Sequence, residues 1–141
     1  MVALISDGAG GVRIEFADSA SVREANAVRL AAAAARIVGE VPGATVSRDS
    51  VGRVTDIAID HAEFTHLDEA RVAQVVAVMR AEGMTATVSS IHVNGWFGTH
   101  SKLTGADWIV RRLFGRELAA ERERWLYVGD STNDEAMFAS F

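Results

Sequence analysis

The chain has 141 residues, 49% hydrophobic and 23% charged, which is enough apolar material to bury a core and too much for a disordered chain. Its 14 basic and 19 acidic side chains leave a formal charge of -5, with no cluster of Lys or Arg able to neutralise a phosphate backbone, so nucleic acid is not an expected partner. No cysteine occurs, which excludes disulfide scaffolds and cysteine-rich zinc sites.

The opening MVALISDGAGGVRIEF lacks a basic stretch followed by an apolar run of signal length, and the alanine run Ala31 to Ala35 is too short to span a bilayer. A cytoplasmic location with no membrane partner is therefore expected. Ala3 to Ser6 and Val12 to Phe16 are strand candidates separated by Gly8-Ala9-Gly10-Gly11, a pattern that fits a hairpin or a connector. Ser21-Val22-Arg23-Glu24 matches a capping box, predicting a helix with Val22, Ala25, Val28, Ala32 and Ala35 on one stripe and a stop at Gly39. Pro42-Gly43 then turns the chain.

Ala44 to Arg48 and Arg53 to His61 read as a strand pair about the turn Asp49-Ser50-Val51-Gly52, with Thr55, Ile57 and Ile59 inward and Val54, Asp56, Ala58 and Asp60 outward. Thr65-His66-Leu67-Asp68 is a second capping box, and Val72, Val75, Val76 and Met79 follow at helical spacing until Gly83, the clearest amphipathic pattern in the chain. Met84 to Val93 has strand character and runs into Asn94-Gly95, a strong hairpin signal, before Trp96-Phe97.

The pattern changes after Gly98. A helix from about Leu103 to Phe114 is expected to bury Leu103, Ala106, Ile109, Val110, Leu113 and Phe114, and Trp125 to Val128 reads as a fully buried parallel strand. The whole is an α+β arrangement: a mainly antiparallel sheet covered by two helices over residues 1–98, then a differently organised segment over 99–141.

The chemistry-bearing run is Tyr127-Val128-Gly129-Asp130-Ser131-Thr132-Asn133-Asp134-Glu135-Ala136-Met137-Phe138. An apolar strand that ends in Gly-Asp, with a second Asp four positions on, turns two carboxylates toward one loop, and magnesium takes one or two carboxylates while leaving room for water and phosphate. The plain alternative is an Asp- and Asn-rich loop capping a helix. Upstream, Lys102 stands at the start of the predicted helix, where an ammonium and the positive end of the helix dipole would meet a phosphate together. His92, Asn94, Trp96 and His100 form a polar and aromatic group that suits a sugar, or else serves the turn, the core and local hydrogen bonds.

The strand followed by Gly129-Asp130, two further residues and Asn133-Asp134 resembles the fourth motif of the haloacid dehalogenase superfamily, and Lys102 resembles its third-motif lysine. The segment from Ile57-Ala58-Ile59-Asp60 to Ser89-Ser90-Ile91-His92-Val93-Asn94-Gly95 is similar to the large α/β cap of the Cof-like and sucrose-phosphate phosphatases. The resemblance implies an α/β cap over residues 1–98 and part of a Rossmann-like core over 99–141. It implies Mg2+ held by Asp130 and Asp134, and phosphate held by Lys102, Ser131 and Asn133. His92, Asn94 and Trp96 would contact a phosphorylated sugar or similar small metabolite, and Lys102 would be the catalytic residue.

The superfamily's Asp-x-Asp-x-Thr nucleophile motif does not occur: Asp56 and Asp60 have the wrong spacing, and Asp7 leads only into glycines. No residue can be assigned to its second motif either. The chain alone is thus expected to be inactive and to be a fragment, an intact cap with one strand and two helices of a core, pairing with a second copy through the exposed strand at Leu126 to Val128. The alternative is a non-catalytic binding module derived from such a cap, and a piece of an ion pump with a similar acidic string is a remote third.

Overall fold

The computed structural model describes residues 1–130 and 134–141, and the chain is a mixed α+β protein. It divides into two compact units. One runs from Ala20 to Thr99; the other joins Met1–Ser19 to His100–Asp130 and Asp134–Phe141. The break expected near Gly98 lies beside the one after Thr99, while the first hairpin groups with the C-terminal segment.

In the Ala20–Thr99 unit, helices α1 (Ala20–Glu40) and α2 (Glu69–Ala81) pack on a four-stranded antiparallel sheet of β3 (Thr45–Val46), β4 (Ile57–Asp60), β5 (Thr85–Val88) and β6 (His92–Trp96), ordered β3-β4-β6-β5. Ile57 and Ile59 stand opposite Gly95 and Val93 on the helix side, and their core takes in Leu30, Ile37, Val75, Met79 and Met84. A short 3-10 turn, Arg48–Gly52, links β3 to the approach to β4.

Several expectations are corrected here. The buried face of α1 is Leu30, Ala33 and Ile37, whereas Val22 is exposed and Val28 is 73% exposed. Alanines spread all round a helix cannot mark its inner face, and the two large residues seven apart do so instead. Ser21 lies inside the first turn and not ahead of it. At α2 the N-cap is Asp68, whose carboxylate accepts from the Arg71 N–H, while the Thr65 hydroxyl bonds that of Thr45.

Asn94-Gly95 is not a turn. Both residues lie within β6, and the chain reverses at Ser89 to Ile91, where the Ser89 hydroxyl and backbone bond His92. The glycine is needed for close packing, because a Cβ there would come within 2.7 Å of Met79 Sδ and 2.8 Å of Met84 Cε. β4 is buried on both faces, so Ala58 and Asp60, expected outside, are covered.

In the other unit, β1 (Val2–Ser6) and β2 (Val12–Phe16) form an antiparallel hairpin, which resolves the open choice in favour of the hairpin. Helix α3 (Lys102–Phe114) begins with a reciprocal capping box between Ser101 and Thr104 and ends at Gly115. Of its expected inner face only Val110 is fully buried, and Leu113 and Phe114 are exposed. A 3-10 segment, Leu118–Arg124, precedes residues 125–130, and α4 (Glu135–Phe138) closes the chain. Residues 125–128 do not form a buried strand: Leu126 is 90% and Val128 83% exposed. A strand is held by ladder partners, and among the described residues none pairs with this run. No helix among the described residues is long and apolar enough to cross a membrane.

Candidate functional site

The capping box places Lys102 in the first turn of α3, with the Ser101 side chain accepting from the Thr104 N–H at 3.3 Å and the Thr104 hydroxyl accepting from the Ser101 N–H at 2.8 Å. A cation is at the unfavourable end of the helix dipole there unless an anion stands beside it. Asp134 supplies that anion. Its carboxylate is 1% exposed, and Oδ1 accepts from both the Lys102 ammonium and the Tyr127 hydroxyl. Oδ2 accepts from the Asp130 backbone N–H at 3.2 Å.

The charges respond in kind. The hydrogen bond to Asp134 raises the Lys102 pKa above its ordinary value against the opposing effect of burial. Tyr127 is likewise raised, first by its bond to Asp134 and then by burial, so the phenol stays a donor. Gly129 makes room for the carboxylate, because a Cβ at that position would lie 2.7 Å from Asp134 Cγ and 2.9 Å from Tyr127 Cε1.

Of the residues read as phosphate and metal ligands, Lys102 and Asp134 are therefore in direct contact, and Asp130 reaches Asp134 through its backbone while its residue is exposed. Ser131 and Asn133 lie outside the described residues. Asp130 and Asp134 are the carboxylates here that could serve a hard cation, and the Asp134 carboxylate is buried and already accepts from Lys102, Tyr127 and the Asp130 N–H. Tyr127 was missed from sequence. The signal for it was a phenol in an otherwise apolar run, since a tyrosine hydroxyl needs a partner when it packs.

The group His92, Asn94 and Trp96 occupies alternate positions of β6, on the face opposite Val93 and Gly95. His92 is buried, with Nε2 2.9 Å from Glu63 Oε2, and is thus engaged locally. Opposite it in register stands Asp60, whose carboxylate accepts from the N–H groups of Glu63, Phe64 and Thr65 at 2.9 to 3.0 Å. The Trp96 indole N–H is buried and has no hydrogen-bond partner among the described residues. His100 belongs to the other unit, where burial, aided by the Met1 ammonium, pulls its pKa below the ordinary value.

No protein-family model matches this chain, and no curated protein matches it.

Proposed function

We propose that this chain carries the phosphate-holding lysine and the metal-holding aspartates of a haloacid dehalogenase-type phosphohydrolase acting on phosphorylated sugars or similar small metabolites. In this reading the four-stranded sheet with its two helices is the α/β cap, and the segment from Lys102 onward is part of a Rossmann-like core. The observation that carries it is the Lys102 ammonium bonded to buried Asp134 at the first turn of α3. An ammonium beside acidic side chains is what a phosphoryl group with its magnesium requires.

Asp130 and Asp134 would hold the magnesium, which supplies charge neutralisation at the phosphoryl oxygens when bound. Lys102 would hold one of those oxygens, and Tyr127 fixes the orientation of the Asp134 carboxylate. No Asp-x-Asp-x-Thr string is present to attack phosphorus, so phosphate release by this chain alone is not expected.

The test is binding followed by NMR. Magnesium is expected to shift the amides of Gly129, Asp130 and Asp134, and inorganic phosphate added with magnesium to shift Ser101 and Lys102. Asp134→Asn should abolish both responses and Lys102→Met only the second. Responses that survive Asp134→Asn, or none at all with magnesium in excess, overturn the reading.

A second reading is a non-catalytic binding module, with half-buried Asn94 and Trp96 on one face of the sheet. It predicts binding of unphosphorylated sugars that is indifferent to magnesium and to Asp134→Asn.

A further inference from the structure

The apolar face of helix α2 is wider than its buried residues. Val75, Val78 and Met79 enter the core and Val72 and Val76 are half-buried against it, and these two valines with exposed Ala73 and Ala77 line an open groove of about 520 Å³ beside the edge strand β5, with Glu69 at one end and Arg80 at the other. Among the described residues neither Glu69 nor Arg80 forms an ion pair, and both are exposed. Their signs suit the helix dipole, but the dipole asks only for the right turn of helix, not for the same stripe.

The stripe is symmetric about its midpoint between Gln74 and Val75. Glu69 mirrors Arg80, Val72 mirrors Ala77, and Ala73 mirrors Val76. Such a face is complementary to itself when turned end for end. An antiparallel copy sets Glu69 against Arg80 twice, and each valine against an alanine, so that a large side chain meets a small one at every level. A two-fold dimer demands this reciprocity: whatever one position touches must touch it in return.

We propose that the groove along α2 is the interface of a two-fold homodimer, in which the α2 helices of two copies pack antiparallel with Glu69 of each paired to Arg80 of the other. This surface is distinct from the run at Leu126 to Val128, and it does not depend on the phosphohydrolase reading. One helix pair covers less than the about 1,600 Å² of a standard interface, so the dimer should dissociate on dilution.

Sedimentation velocity of the full chain over a concentration series tests it, with far-UV circular dichroism as a folding control. The wild-type chain is expected to shift from monomer to dimer as concentration rises. Glu69→Arg and Arg80→Glu, each alone, place like charges in opposition and should weaken the dimer at least about tenfold. Mixing these two variants should restore it, since each then offers what the other lacks, and so should the double exchange E69R/R80E. Ala73→Glu, at an exposed position of the stripe, should leave a folded monomer. A wild-type chain that stays monomeric throughout, or a dimer unaffected by Ala73→Glu and by both charge reversals, overturns the proposal.

Discussion

Asp60 shows how a single buried carboxylate can be stable. Burial works against its charged form, but the N–H groups of Glu63, Phe64 and Thr65, with the charge of His92 nearby, outweigh it and hold the pKa below the ordinary value. Asp49 is drawn down to about 2 by hydrogen bonds from Arg53 and then Ser47. A carboxyl group whose folded pKa is depressed stabilises the fold above its unfolded value of about 3.9, and this contribution is lost as pH falls through the folded value. Stability should therefore be constant with respect to these two groups near neutrality and fall between about pH 4 and pH 2. Asp60→Asn should be less stable than wild type at pH 7 and lose less on acidification. Urea denaturation at pH 7, 4 and 2 measures both, and an acid limb unchanged in the variant would contradict the assignment.

At the scale of elements, the helix α3 was legible from its apolar spacing, but its cap was not read: the capping boxes expected at Ser21 and Thr65 are absent as caps, and the reciprocal one joins Ser101 and Thr104. Ser101→Ala removes the acceptor for the Thr104 N–H and should cost about 1 kcal/mol of stability in urea denaturation. No change would mean that the first turn, and with it Lys102, is held by other contacts. The interior of β6 was illegible too. Asn-Gly is a turn signal when both residues can take positive φ, yet here Gly95 is selected by the proximity of Met79 and Met84, residues 16 and 11 positions away in the chain. The α2 stripe, by contrast, was legible: Val75 and Met79 are buried in the core, and Val72 and Val76 pack against it.

Taken as a whole, the chain holds its apolar burial unevenly. Fourteen buried residues form one cluster in the Ala20–Thr99 unit, while the other unit buries only Ile5, Val110, Leu118 and Met137 among its described hydrophobic residues. Its hairpin sets Leu4 opposite Ile14, both exposed. Local opening is governed by buried contact, so amides of α2, β4 and β6 should exchange only by global unfolding, and those of α3 and α4 far sooner. Hydrogen exchange read by mass spectrometry decides this, and uniform protection across the chain would refute it.

What the amino-acid order determined by itself is whatever neighbours along the chain can enforce. The helix α3, the two opening strands, the existence of α1 and α2 and the mixed α+β class are of this kind, each following from backbone hydrogen-bond needs and side chains a few positions apart. Only the tertiary structure decided which face of α1 is inner, that the opening strands pair as a hairpin, that Asp60 and Ala58 are covered, and that Leu126 and Val128 stand in solvent. It also decided that Asp134 bonds both Lys102, thirty-two positions earlier, and Tyr127. Burial and ion pairing depend on which distant segments meet, and that meeting is a property of the folded chain and not of any stretch within it.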